Sequence, residues 1–225
     1  MFRLTASFLS VFGVLLVFTS GAFANTIYSV TGPGYTTGGS ASIGGGDNDV
    51  LETSWTTLGA YSDVSVAAEV GCYQCAGLTI TAYLTTVIGP SATVADQIAS
   101  YTYITGEGPE IDTLFASLTL GSGTYYLTLS APSGGLGYWL GAGSPTVTTD
   151  AGVTANGNGA GGGEGTLIYP PSSGFLLSLP LTSPQAFLVQ VTGDAVSAAT
   201  PEPGSIGLLT GGLAGLWLLK RRRSA

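Results

Sequence analysis

The chain has 225 residues, five Lys or Arg against 13 Asp or Glu, no histidine, and a formal net charge of −8. All five basic residues (Arg3, Lys220, Arg221, Arg222 and Arg223) lie near the two ends, so residues 25–200 carry twelve carboxylates and no cation. Such a stretch repels phosphate backbones, which excludes nucleic-acid binding. It also lacks the His, Lys and Arg that nucleophile pairs, Schiff bases and phosphoryl clamps require.

Residues 1–24 read as a signal peptide. Arg3 supplies the charge, residues 8–18 form an apolar run, and Ala22-Phe23-Ala24 is a small-x-small cleavage site. The expected mature chain starts at Asn25, and the expected handlers are the Sec translocon and signal peptidase.

The body that follows is rich in Gly, Ser and Thr. Short β-branched and aromatic runs alternate with Gly/Pro/Ser turns, which predicts an all-β protein with a single sandwich domain over residues 25–195. Residues 25–30 open it as a short strand, and residues 31–46 read as a loop. Residues 51–58 carry Trp55, expected in the core. In residues 63–70, Val64, Val66, Ala68 and Val70 share one face. Residues 78–86 alternate at first and then become mixed. Residues 93–99 fit either a helical turn or an edge strand.

Tyr101 and Tyr103 share a face of the next strand. Residues 114–120 and 124–130, around Gly121-Ser122-Gly123, read as a hairpin. Residues 137–140 form a short aromatic strand with Tyr138 and Trp139. The Gly/Asn-rich residues 151–165 read as a loop tip unable to hold a packed core. Residues 176–181 and 186–191 are expected to close the sandwich, and residues 196–200 are a small-residue linker.

Four groups in the body are candidates for chemistry. Cys72 and Cys75 are the two cysteines; in an exported chain they read as a disulfide, and a zinc site lacks further ligands. Asp47 and Asp49, with Glu52 close by, are the densest acidic group. Oxygen ligands in a Gly-rich loop suit Ca²⁺, although the spacing departs from an EF-hand loop and a solvated turn is the competing reading. Tyr101, Tyr103, Tyr125, Tyr126, Tyr138 and Trp139 are candidates for a sugar-stacking face, with Tyr138 and Trp139 foremost; ordinary core packing competes. Glu110 and Asp112, in a turn-like Gly-Pro-Glu-Ile-Asp segment, leave a carboxylate-pair hydrolase formally open. Nothing marks them as catalytic, and the expectation is that the chain is not an enzyme.

Pro201-Glu202-Pro203 is a stiff turn, since each proline fixes φ and lacks a donor. Residues 204–219 are uncharged and mostly apolar, and Lys220-Arg221-Arg222-Arg223 follows. These sixteen residues would make a transmembrane helix of roughly 24 Å, short against a bilayer core of roughly 30 Å. A basic cluster after an apolar run stays on the cytoplasmic side. Gly207, Gly211 and Gly215 would share one helix face and permit close packing.

Pro-Glu-Pro, apolar helix and Arg cluster, in that order at the C-terminus, resemble the PEP-CTERM sorting signal. The resemblance implies recognition by exosortase, an intramembrane cysteine transpeptidase, in a Gram-negative bacterium that makes exopolysaccharide and biofilm or floc matrix. It implies a transient inner-membrane tail anchor, cleavage near Pro-Glu-Pro, and release to the cell surface or beyond. Ser54-Trp55, residues 61–67, residues 83–90 and residues 121–127 also resemble the bodies of PEP-CTERM proteins, which implies a jelly-roll-like sandwich without assigned chemistry. The expected function is a non-catalytic cell-surface or extracellular matrix protein associated with exopolysaccharide. A lectin-like carbohydrate-binding module, with or without Ca²⁺, is the alternative; a secreted carboxylate hydrolase ranks below it.

Overall fold

The computed structural model describes residues 24–33, 40–45, 48–72, 77–106, 108–131, 135–162, 169–179, 181–182 and 186–196. Among the described residues thirteen strands run in chain order: β1 (Asn25–Thr31), β2 (Ser40–Gly44), β3 (Val50–Thr57), β4 (Tyr61–Cys72), β5 (Leu78–Thr85), β6 (Gln97–Thr105), β7 (Glu110–Leu120), β8 (Gly123–Ser130), β9 (Leu136–Leu140), β10 (Thr146–Thr149), β11 (Val153–Gly161), β12 (Phe175–Leu179) and β13 (Val189–Ala195).

They form two antiparallel sheets, a β-sandwich. The first runs β10-β1-β13-β4-β9-β2, and β7 also pairs with β4. Val66 and Ala68 of β4 pair with both β13 and β7, so these two occupy opposite edges of β4. The second sheet runs β12-β11-β3-β8-β5-β6.

The core follows from strand alternation. Val64, Val66, Ala68 and Val70 of β4 are buried, while Ser65, Ala67 and Glu69 between them are half-buried. Facing them from the second sheet are Leu51, Trp55, Ile80, Ala82, Leu84, Leu127 and Leu129. Three aromatics bridge the layers: Tyr28 and Trp55 lie 5.7 Å apart, Trp55 and Tyr125 6.0 Å. The Tyr28 hydroxyl and Thr53 Oγ1, 3.0 Å apart, satisfy each other inside this layer.

Several local expectations are corrected. Residues 114–130 are not a hairpin: β7 belongs to the first sheet and β8 to the second. Both ends of the link carry core residues, Leu120 and Tyr125, which face the interior from opposite sheets. The chain therefore turns a corner, held by the Tyr125 hydroxyl and Thr57 Oγ1, which both donate to the Gly121 carbonyl at 2.8 and 2.9 Å.

The Gly/Asn-rich stretch is not a loop tip either, because β11 lies between β3 and β12. Its glycines leave room for what crosses above: a Cβ on Gly161 would meet Ser173 Oγ at 2.8 Å and the Gly174 carbonyl at 3.2 Å. The expected loop at 31–46 contains β2, and Glu110 starts a strand rather than sitting in a turn. Residues 93–99 resolve into both alternatives. A 3-10 turn, Val94–Asp96, is closed by Thr93, whose N–H and hydroxyl donate to Asp96 Oδ2, and β6 follows.

β1 and β13 pair so that Asn25 faces Gly193. The first and last strands thus meet at one end of the first sheet.

Candidate functional site

The structure separates the aromatic candidates. Trp139 is 0 % exposed: it stacks on Phe187 at 4.9 Å, and its Nε1 donates to the Leu188 carbonyl at 2.9 Å. It cannot offer a face to a sugar, because β9 lies inside the first sheet, between β4 and β2. Tyr138 is half-buried, with its hydroxyl packed over Gly71. Tyr125 belongs to the core, and Tyr126 points to the opposite face of β8.

Tyr101 and Tyr103 behave differently. They lie on β6, the last strand of the second sheet. Their rings stack at 5.7 Å with planes 6° apart, and Tyr101 is 47 % exposed. Burial raises the Tyr103 phenol above its ordinary range, and the Asp112 carboxylate adds to the effect. The Asp112 carboxyl is itself raised, first by burial and then by Glu110. Asp112, one of the two carboxylates that left a hydrolase formally open, therefore stands beside the aromatic stack. Asp112 Oδ2 and the Tyr103 hydroxyl are buried there without a hydrogen-bond partner.

Of the Ca²⁺ candidates, the structure describes Asp49 and Glu52. Asp49 and Glu52 are three residues apart on extended chain, and period-two alternation sends their side chains to opposite faces. Among the described residues no three His, Cys, Asp or Glu side chains gather. Asp47 lies outside the described residues.

Glu52 is instead a sealed sheet residue. It shares the outer face of β3 with Val50 and Ser54, opposite the side that carries Leu51, Thr53 and Trp55. Its neighbours across the ladder are Thr128 of β8 and Gly159 of β11. A strap over residues 169–174 crosses this sheet. Tyr169 meets Tyr83 edge-on at 5.6 Å, Pro170 and Pro171 are buried, and the Gly89 N–H donates to the Pro171 carbonyl. Glu52 is only 4 % exposed, and its Oε1 and Thr128 Oγ1 have no partner. Burial pushes its carboxyl up to about 7, against the Ser54 hydroxyl, which favours the charged form. Sequence reasoning grouped Glu52 with the acidic residues close by in the Gly-rich loop; the even spacing of Val50, Glu52 and Ser54 was the available sign of a buried strand face.

The outer side of the first sheet carries a shallow groove of about 150 Å³ lined by Thr31, Glu69, Ile111, Leu188 and Gln190. Burial raises the Glu69 carboxyl there.

Cys72 ends β4, buried, with Sγ 3.4 Å from the Gly106 carbonyl. Cys75 lies outside the described residues. So do Ala22 and the sorting-signal residues Pro201, Glu202, Pro203, Gly207, Gly211, Gly215, Arg221, Arg222 and Arg223; Ala24 and Asn25 are described and exposed. Among the described residues no helix is long and apolar enough to cross a membrane. No known family, curated protein or solved structure matches this chain.

Proposed function

We propose that this chain is an exported, non-catalytic cell-surface or matrix protein of a Gram-negative bacterium, sorted and processed by exosortase. The observation that carries the reading is the C-terminal order of Pro201-Glu202-Pro203, the apolar residues 204–219 with Gly207, Gly211 and Gly215, and the cluster Arg221 to Arg223. The proline turn is presented at the membrane face, the Gly-lined helix is held within, and the arginines stop complete translocation. Residues 1–24 act as the export signal. The jelly-roll-like form of the body is part of this reading, and the pairing of strands distant in the chain, such as β1 and β13, supports it. A Cys72–Cys75 disulfide pins the end of β4, and the secreted form should show a mass two hydrogens below the reduced chain.

The test is the fate of the tail in a host that contains exosortase. The expected result is a shortened chain outside the cell. Exosortase deletion, or replacement of Pro201, Glu202 and Pro203 by alanine, should leave the longer form at the inner membrane. Persistence of the uncut chain in the intact host would refute the reading.

The exposed Tyr101 stacked on Tyr103 favours a second reading, a module that binds the host exopolysaccharide. Its test is retention on that polysaccharide with and without Tyr101→Ala, and equal retention counts against it.

A further inference from the structure

We propose that two copies of this chain associate through β6, joining their second sheets into one continuous twelve-stranded sheet. β6 pairs with β5 along one edge, and among the described residues no strand pairs with the other. An unpaired edge offers a row of N–H and C=O groups to any strand that can reach it. Native edges are commonly blunted by lysine, proline, inward charges or bulges. Gln97–Thr105 contains no charged residue and no proline. Its one irregularity is a register shift between Leu84 and Thr85, opposite the start of β6. From Ala99 to Thr105 the pairing to β5 is regular.

Electrostatics limits where two copies can meet. Each copy carries twelve carboxylates and no cation between residues 25 and 200, so like surfaces repel. The approach is cheapest where little charge lies, and β6 itself carries none, with Asp112 of β7 beside Tyr103.

The pattern of β6 is also self-complementary. A twofold axis through Thr102 pairs the regular span with itself in antiparallel register. Thr102 then faces Thr102 of the other copy, Tyr101 faces Tyr103, Ser100 faces Ile104, and Ala99 faces Thr105. Cross-strand Thr–Thr and aromatic pairs are favourable contacts, and a twofold pairing closes rather than extends. It uses up exposed Ile104, which is 72 % accessible, and brings four tyrosines onto one face. Asp96 precedes the paired span and Glu110 starts β7 after it, while Asp112 of β7 stands beside Tyr103, on the face of β6 opposite to Ser100, Thr102 and Ile104.

The experiment is cysteine cross-linking of the full-length chain under mild oxidation, read on non-reducing gels with the linked peptides identified by mass spectrometry. Directly opposed residues in an antiparallel pair have Cα atoms roughly 4.5–5.5 Å apart, within disulfide reach. Thr102→Cys should give a product of twice the mass, linked between the two new cysteines. Ser100→Cys alone should stay monomeric, but mixed with Ile104→Cys it should give the mixed dimer. Adding Ser100→Glu and Ile104→Glu to Thr102→Cys sets like charges opposite each other at exposed positions and should abolish the cross-link. Association driven by residues 204–219 would instead survive the glutamates. The proposal is overturned if Thr102→Cys does not cross-link, if Ser100→Cys links to itself equally well, if the glutamates have no effect, or if an open-ended ladder forms.

Discussion

Glu52→Gln should stabilise the protein at alkaline pH and leave it nearly unchanged in acid. The carboxyl is sealed on the outer face of the second sheet, and its pKa is raised from 4.5 to about 7, chiefly by burial. A folded-state value above the unfolded one means that the folded state holds the proton to higher pH. Stability is then fully present below about pH 4.5 and is lost as pH rises towards 7. Each unit of difference corresponds to about 1.4 kcal/mol, so the ionised form costs the fold about 3 kcal/mol above pH 7. Glutamine keeps the shape and never ionises. Its carbonyl can accept from Ser54, and its amide can donate to Thr128 Oγ1, which lacks a partner.

Urea denaturation of parent and variant at pH 4.5 and pH 8 isolates this residue, because other titrating groups cancel in the difference. The expected gain is about 3 kcal/mol at pH 8 and close to zero at pH 4.5. An equal difference at both pH values would show that Glu52 is hydrated or paired in the folded state, and would refute the account of a sealed carboxyl beneath the strap.

Three further outcomes follow from the packing. Trp139→Ala should cost about 3–5 kcal/mol in denaturant melts by emptying the site against Phe187, whereas Tyr101→Ala on the open edge should change stability by less than about 0.5 kcal/mol. Gly71→Ala puts a Cβ 2.5 Å from the Gly108 carbonyl and 2.6 Å from the Tyr138 hydroxyl; thermal melts should show a loss of about 1–3 kcal/mol, while Gly59→Ala, into open space, should be nearly neutral. Asp112→Asn should raise the melting temperature relative to the parent more at pH 7 than at pH 3, because burial and Glu110 hold the parent carboxyl above its ordinary range and its ionisation opposes folding.

What could be read in the chain depended on whether one strand face was apolar. β4 announced itself because Val64, Val66, Ala68 and Val70 alternate with smaller or polar residues, and these are the buried positions. β11 gave no such signal. Gly157, Gly159 and Gly161 have no side chains to show a period, and glycine is a poor strand former. What makes β11 a strand lies elsewhere in the chain: β3 and β12 satisfy its backbone, and Ser173 and Gly174 close over it. The aromatic candidates could not be told apart for a different reason. Trp139 and Tyr101 occupy similar contexts in sequence, each on a short strand near another aromatic. Their exposures, 0 % and 47 %, are set by strand order in the sheets, β9 inside and β6 at the edge. Strand order is a long-range property that no local spacing encodes. Glu52 was visible as an acid but not as a buried one, since its cover comes from residues more than a hundred positions later.

The strand order also bears on how an exported domain of this kind would be held during sorting. Asn25 faces Gly193 across the β1–β13 pair, so the segments before β1 and after β13 leave from the same end of the sandwich. Between Ala195 and Pro201 there are six residue steps, which span at most about 20 Å even when fully extended. In the sorting reading, a domain tethered by that length would stand close to the bilayer. Its surface carries carboxylates without a compensating cation, and anionic headgroups repel such a surface over roughly a Debye length, about 8–10 Å. In the sorting reading, an extended tether presents Pro201-Glu202-Pro203 as an accessible segment between a rigid domain and the apolar helix. The absence of Lys and Arg from residues 25–200 has a purpose in this picture: every basic group of the C-terminal half sits beyond the helix, where it sets the orientation of the tail without competition from the body.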